Sequence, residues 1–166
     1  MKTQASPQAL VIFLDFEGVL IAGDGQWSAE AMAQLDLLCL KSGAAVVLST
    51  SPRYQSSVRA LHQTLLRSGL NPKIPLLGET RDLSAYRTAG RMGDLLFQTQ
   101  FERLSKGEEI EQGLSDHPNT RRFVVIDDHP EICAPYESRT VAPVGAFCAE
   151  DRRCALELLC DGSDSI

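Results

Sequence analysis

Three groups of polar residues stand directly behind three apolar runs. Asp15 and Glu17 follow Ala9-Leu-Val-Ile-Phe-Leu14, the hydroxyls Ser49, Thr50 and Ser51 follow Ala44-Ala-Val-Val-Leu48, and Asp127 and Asp128 follow Phe123-Val-Val-Ile126. In an open parallel sheet the carboxyl ends of the strands share one edge, and ligands bind in the crevice there. Four carboxylates, those of Asp15, Glu17, Asp127 and Asp128, would then converge on one spot. Like charges that close are strongly unfavourable unless a cation or a proton neutralises them, so a divalent metal is the natural resolution. Oxygen donors with no clustered His or Cys favour Mg2+ over zinc. The hydroxyl run precedes a helix, where it can cap the helix and bind an anion at the same time.

Each group also has an ordinary use. Asp15 with Glu17 and Gly18 fits a turn that ends a strand, and Asp127 and Asp128 fit caps for a short helix from Pro130. His129 adjoins the acidic pair as a rim residue, and Glu131 fits a first-turn helix charge. Lys106, at the start of another helix, matches a common surface lysine.

The elements that must position these groups read as alternating strands and amphipathic helices, the signature of βαβ units around a parallel sheet. The run Ala9 to Leu14 is continuous rather than alternating, so it predicts a central strand buried on both faces. A helix capped by Ser28 carries Met32, Leu35, Leu38 and Cys39 at helical spacing and ends at Gly43. After Ala44 to Leu48 and the segment Ser49-Thr-Ser-Pro-Arg53 comes a helix with Val58, Leu61, Leu65 and Leu66 on one face, ended by Gly69. A third strand is expected from Ile74 to Leu77, closed by Gly78. The segment from Glu79 to Leu104 has no clean period and holds at most a short helix around Asp94 to Phe101. Ser105-Lys-Gly-Glu108 reads as a capping box. Its helix turns Ile110 and Leu114 inward and stops near His117-Pro118. A strand from Phe123 to Ile126, an edge strand near Thr140 to Ala142 and a helix from Ala149 to Leu159 complete the pattern.

The 166 residues suit one domain spanning 1–166, with 1–8 and 161–166 as flexible tails. A formal charge of -6 argues against a protein whose main task is coating nucleic acid or an anionic membrane, since either needs a basic footprint. The apolar run Leu10 to Leu14 is too short for a signal peptide or a membrane span, so the expected location is the cytoplasm, without membrane contact. The five cysteines are odd in number and form no C-x-x-C pair, which argues for free thiols rather than a zinc site or a disulfide framework.

Val11-Ile-Phe-Leu-Asp15-Phe-Glu17-Gly18 resembles the first motif of the haloacid dehalogenase (HAD) superfamily, where Asp-x-Asp-Gly follows a hydrophobic strand. Val46-Val-Leu-Ser49-Thr50-Ser51 resembles the second motif, Lys106 sits where the third supplies Lys or Arg, and Val124-Val-Ile-Asp127-Asp128 resembles the fourth. More narrowly, the chain resembles the small bacterial HAD-like domains associated with RNA-repair proteins. The resemblance implies a three-layer Rossmann-like α/β fold, capless or nearly so, since the intervals between motifs leave little room for a cap. It implies a Mg2+-dependent phosphatase in which Asp15 is the nucleophile. Mg2+ would be held by Asp15, the backbone carbonyl of Glu17 and Asp128, with Asp127 acting directly or through water. Ser49 would bind a phosphoryl oxygen, helped by Thr50, Ser51 and Arg53, and Lys106 would hold the nucleophile.

One departure stands out. Glu17 occupies the place of the second Asp, which in the family protonates the leaving group. The extra methylene leaves three outcomes open: adapted catalysis, slow turnover, or a domain that binds a phosphorylated ligand without turnover. An open site suits a phosphorylated small molecule, nucleic-acid end or protein, with Arg53, Arg81, Arg87 and Arg91 as sources of positive charge or as solvated surface residues.

Overall fold

Val11, Ile12, Phe13 and Leu14 are fully buried, because their strand lies between two others and is covered on both faces. This strand, β1 (Ala9–Leu14), is the centre of a parallel sheet in a computed structural model that describes residues 9–50, 56–81 and 106–160. The other strands are β2 (Ala45–Leu48), β3 (Leu76–Glu79), β4 (Thr120–Ile126) and β5 (Thr140–Val141), in the order β3-β2-β1-β4-β5. Among the described residues four helices flank them: α1 (Ala29–Ser42), α2 (Val58–Arg67), α3 (Lys106–Asp116) and α4 (Ala149–Cys160). The result is the Rossmann-like α/β architecture expected from the sequence. Among the described residues no helix is long and apolar enough to cross a membrane.

The strands' period of two divides the core. Ile12, Leu14, Val46, Leu48, Val124 and Ile126 pack with Leu35 and Leu38 of α1, Leu61 and Leu65 of α2, and Ala155 and Leu159 of α4. Val11, Phe13, Val47, Phe123 and Val125 face the other way, against Ile110 of α3 and Cys133. Each fully buried leucine contributes about 1.5–3 kcal/mol relative to exposure. Helix α1 starts where Ser28 Oγ accepts the Ala31 N–H at 3.1 Å, and stops at Gly43, whose φ of 70° is left-handed. Ser57 caps α2 in the same way.

Two strands differ from the sequence reading by two residues or more. Strand β3 starts at Leu76 and runs past Gly78, because Val47 and Leu48 of β2 pair with Gly78 and Glu79. Strand β4 begins three residues before its apolar run, at Thr120, where the sheet is partly exposed and tolerates Arg121 and Arg122. The connection from β1 to β2 holds a small hairpin, Ile21 paired antiparallel with Trp27, followed by α1. The helix expected around Asp94 to Phe101, with Arg87, Arg91 and Ser105, lies outside the described residues.

The N-terminus of α3 is held close to the 3-10 turn Pro130–Cys133 because residue 107 is glycine: a Cβ there would overlap the carbonyl oxygen of Ala134. Backbone cannot yield as a side-chain end can. Gly107→Ala is therefore expected to destabilise the protein by about 1–3 kcal/mol, read as a melting temperature lower by roughly 2–10 °C. An unchanged melting curve would show that α3 is not seated by this contact.

Candidate active site at the carboxyl edge of the sheet

The backbone ladder continues one residue past the strands. The N–H of Asp15 donates to Ile126 at 3.0 Å, that of Ser49 to Leu14 at 2.9 Å, and that of Asp127 to Val141 at 3.1 Å. Because Phe13, Val47 and Val125 face α3, the period of two turns Asp15, Ser49 and Asp127 to the same side. Lys106, the first residue of α3, meets them there. Its Nζ lies 3.6 Å from Asp15 Oδ2 and forms an ion pair with Asp127 Oδ2. Asp15, Asp127 and Lys106 are all buried.

Asp128 joins from the other side of the strand end. One carboxylate oxygen each from Asp15, Asp127 and Asp128 lies within 4.8 Å of the others. Gly18 makes room for this: its φ is 69°, and a Cβ on it would overlap the Asp128 carboxylate. Asp127 Oδ1 accepts the His129 N–H at 2.8 Å, which braces the turn, while the 3-10 helix from Pro130 has no side-chain cap. The capping use considered for the acidic pair is thus not what the structure shows.

One ammonium faces three carboxylates in a largely buried place. Burial pushes the Asp15 carboxyl up to about 6, partly offset by Lys106 and by hydrogen bonds from the Phe16 backbone and the Thr50 hydroxyl, while Asp127 adds to the rise. Burial works against the Lys106 charge, but Asp15 and Asp127 outweigh it and hold the ammonium above its usual range. Burial, then Asp127, raises the Cys133 thiol to about 12, which keeps it neutral beside the site. All-oxygen donors, converging carboxylates and an excess of negative charge fit a hard divalent cation such as Mg2+.

Glu17 is placed differently. It is exposed and, with Gly18 and Asp128, lines a groove of about 430 Å³ whose other walls are Ile21 to Gly23, Gly25, Pro143 and Gly145. Its carboxylate is not one of the three that converge. His129 is a rim residue as expected, its side chain 56% exposed, with Nε2 3.7 Å from Asp128 Oδ2 and Nδ1 3.3 Å from Glu131 Oε1. Ser49 and Thr50 are fully buried at the end of β2. Ser51 and Arg53 lie outside the described residues. Arg81 is an exposed residue in a two-pronged pair with Asp116, at 2.8 and 3.1 Å, rather than an unengaged charge.

The sequence reading passed over one residue. Thr80 N–H donates to Leu48 at 2.8 Å, which extends the row of strand ends to β3, and its side chain is 2% exposed. With β3 read as closing at Gly78, Thr80 fell into the segment without a period.

The family described as the HAD domain in Swiss Army Knife RNA repair proteins matches residues 11–146. No curated protein and no solved structure gives a significant match.

Proposed function

The chain belongs to the family of HAD domains in Swiss Army Knife RNA repair proteins, and from this premise, which points to a HAD-like hydrolase, we propose a Mg2+-dependent phosphohydrolase that works through Asp15. The observation that carries the proposal is the convergence of Asp15, Asp127 and Asp128 within 4.8 Å beside Lys106, at the carboxyl edge of the sheet. Asp15, Asp128 and the Glu17 carbonyl would hold Mg2+, with Asp127 acting directly or through water. When bound, the cation supplies charge neutralisation between an anionic nucleophile and an anionic substrate.

The chain's own groups then divide the work. Asp15 attacks phosphorus with one carboxylate oxygen, and the bond from phosphorus to the leaving oxygen breaks. Lys106 holds the Asp15 carboxylate and balances charge that builds on the phosphoryl group. Ser49 donates to a phosphoryl oxygen, with Thr50, Ser51 and Arg53 nearby in sequence. Glu17 protonates the leaving oxygen and then takes a proton from the water that cleaves the aspartyl-phosphate, which frees phosphate and restores Asp15. The exposed placement of Glu17 in the groove suits a group that must exchange protons with leaving group and solvent.

Glu17→Gln is expected to lower kcat by roughly 10²–10³-fold, more for an alkyl phosphate than for an aryl phosphate whose leaving group needs no proton. Mg2+ affinity should persist, since the Glu17 carboxylate is outside the acidic cluster. Equal losses for both esters in kcat/KM, which reports formation of the aspartyl-phosphate and not its hydrolysis, would remove the acid role. A second reading, a domain that binds a phosphorylated ligand without turnover, is favoured by the Glu at this position: a large gain of activity in Glu17→Asp from a nearly inactive parent would support it. The substrate class is tested by assaying small phosphate esters and 3'- and 5'-phosphorylated RNA ends with and without Mg2+. The family's description makes RNA ends the first to try, and absence of Mg2+-dependent phosphate release from every substrate would overturn the hydrolase reading.

A further inference from the structure

Thr80 extends the catalytic row to a fourth strand. In the order β3-β2-β1-β4, the residues just past the strand ends are Thr80, Ser49, Asp15 and Asp127. Leu48 pairs with Glu79, so Ser49 and Thr80 are the next neighbours across the ladder. Thr80 faces α3: a methyl group placed on Gly113 would sit 3.4 Å from Thr80 Cγ2 and 2.7 Å from Phe13. Ser49 faces the same side by the strand period. Both hydroxyls are buried, at 0% and 2% exposure, and among the described residues neither Ser49 Oγ nor Thr80 Oγ1 has a hydrogen-bond partner. A buried hydroxyl left unpaired costs about 1–3 kcal/mol in general, so two adjacent ones in a row that ends on reactive carboxylates call for an explanation.

Geometry limits what Thr80 can touch. Adjacent strands lie about 4.8 Å apart, which puts Ser49 one spacing from Asp15 and Thr80 roughly two. A phosphoryl group on Asp15 is within reach of Ser49 and beyond reach of Thr80. We infer that Thr80 is a positioning residue: when a phosphoryl group binds, rotation of the two side chains brings the Thr80 hydroxyl to donate to Ser49 Oγ and leaves the Ser49 proton directed at the substrate's phosphoryl oxygen. The inference rests on the phosphoryl-binding role proposed for Ser49. A serine hydroxyl has one proton and two lone pairs. Without a ligand the two hydroxyls are not in hydrogen-bond contact. An anion fixes that proton, presents the Ser49 lone pairs to Thr80, and completes a chain from Thr80 to Ser49 to the phosphoryl oxygen in which each bond polarises the next.

The test uses the full chain with Mg2+ and inorganic phosphate as probe, with affinity measured by calorimetry and stability by melting. Thr80→Val, which keeps the shape and removes the hydroxyl, is expected to bind phosphate about 5–10-fold more weakly, with a melting temperature unchanged or higher because an unpaired buried hydroxyl is gone. Thr80→Ser should bind like the parent. In a Ser49→Ala background Thr80→Val should cause no further loss, since its action runs through Ser49. Undiminished phosphate affinity in Thr80→Val, additive losses in the double variant, or a lowered melting temperature with affinity intact would each overturn the inference. Failure of the parent protein to bind phosphate with Mg2+ would instead remove the proposed function itself, and shows in the parent before any variant is made.

Discussion

Asp15→Asn is expected to abolish Mg2+-dependent phosphate release, with a loss of at least about 10⁴-fold in kcat, while the protein stays folded and becomes more stable without metal. The first effect follows from the proposed nucleophile: an amide of the same shape cannot form the acyl phosphate. The second follows from burial. The Asp15 carboxyl is raised from 3.8 to about 6 in the folded protein, so its contribution favours folding below its unfolded value and is lost as pH rises through about 6. A rise of this size corresponds to about 3 kcal/mol. Asn carries no such charge. Above pH 6, Asp15→Asn should therefore melt roughly 6–12 °C higher than the metal-free parent, and near pH 4 the two should converge. Mg2+ should raise the melting temperature of the parent and do little for the variant. Retained Mg2+-dependent hydrolysis in the variant would remove the nucleophile assignment, and a variant less stable than its parent at pH 8 would remove the account of buried charge.

Lys106→Met should have the opposite sign in stability. Lys106 is buried between Asp15 and Asp127, and removing it leaves two close carboxylates without their cation. Breaking a buried pair by deleting one partner costs about 3–5 kcal/mol, a large part of the roughly 5–15 kcal/mol that holds a domain together. The melting temperature of the metal-free variant should fall by on the order of 10 °C at pH 7.5. It should fall by less at pH 5, below the raised value of about 6 of the Asp15 carboxyl, where Asp15 takes up a proton. Mg2+ should stabilise the variant by more than it stabilises the parent, since the variant has the greater uncompensated charge. In turnover, loss of the cation that faces the nucleophile should lower kcat by roughly 10²–10³-fold. Equal activity and stability in the two proteins would show that Lys106 is a bystander at the start of α3.

Much of this site was legible from residue types alone. Continuous apolar runs predict buried parallel strands because no face of such a strand is left for water, and the first polar residue after each run marks the edge where ligands bind. Asp15, Ser49 and Asp127 were found in that way, and the structure places them in one row on the side of α3. Lys106 was not legible as a buried residue, because one lysine at a helix start has no periodic signal. Its position depends on Gly107, which lets α3 approach Ala134. Thr80 was missed since β3 ends two residues later than Gly78 suggests, and the length of an edge strand follows from pairing across the ladder, which a single chain segment does not encode.

The sequence by itself determined the strand and helix succession, the order of the motifs and the presence of Glu where the family pattern has Asp. These depend on local period and composition, which are properties of neighbours along the chain. The tertiary structure alone decided that Asp15, Asp127 and Lys106 share a buried space with Asp128 at its half-exposed edge, that the Glu17 carboxylate is outside this cluster in an exposed groove, and that Thr80 lies beside Ser49. Those facts depend on sheet order, register and the seating of α3. They are contacts between residues far apart in the chain, and electrostatic energies, which vary steeply with distance and burial, are fixed only once such contacts form.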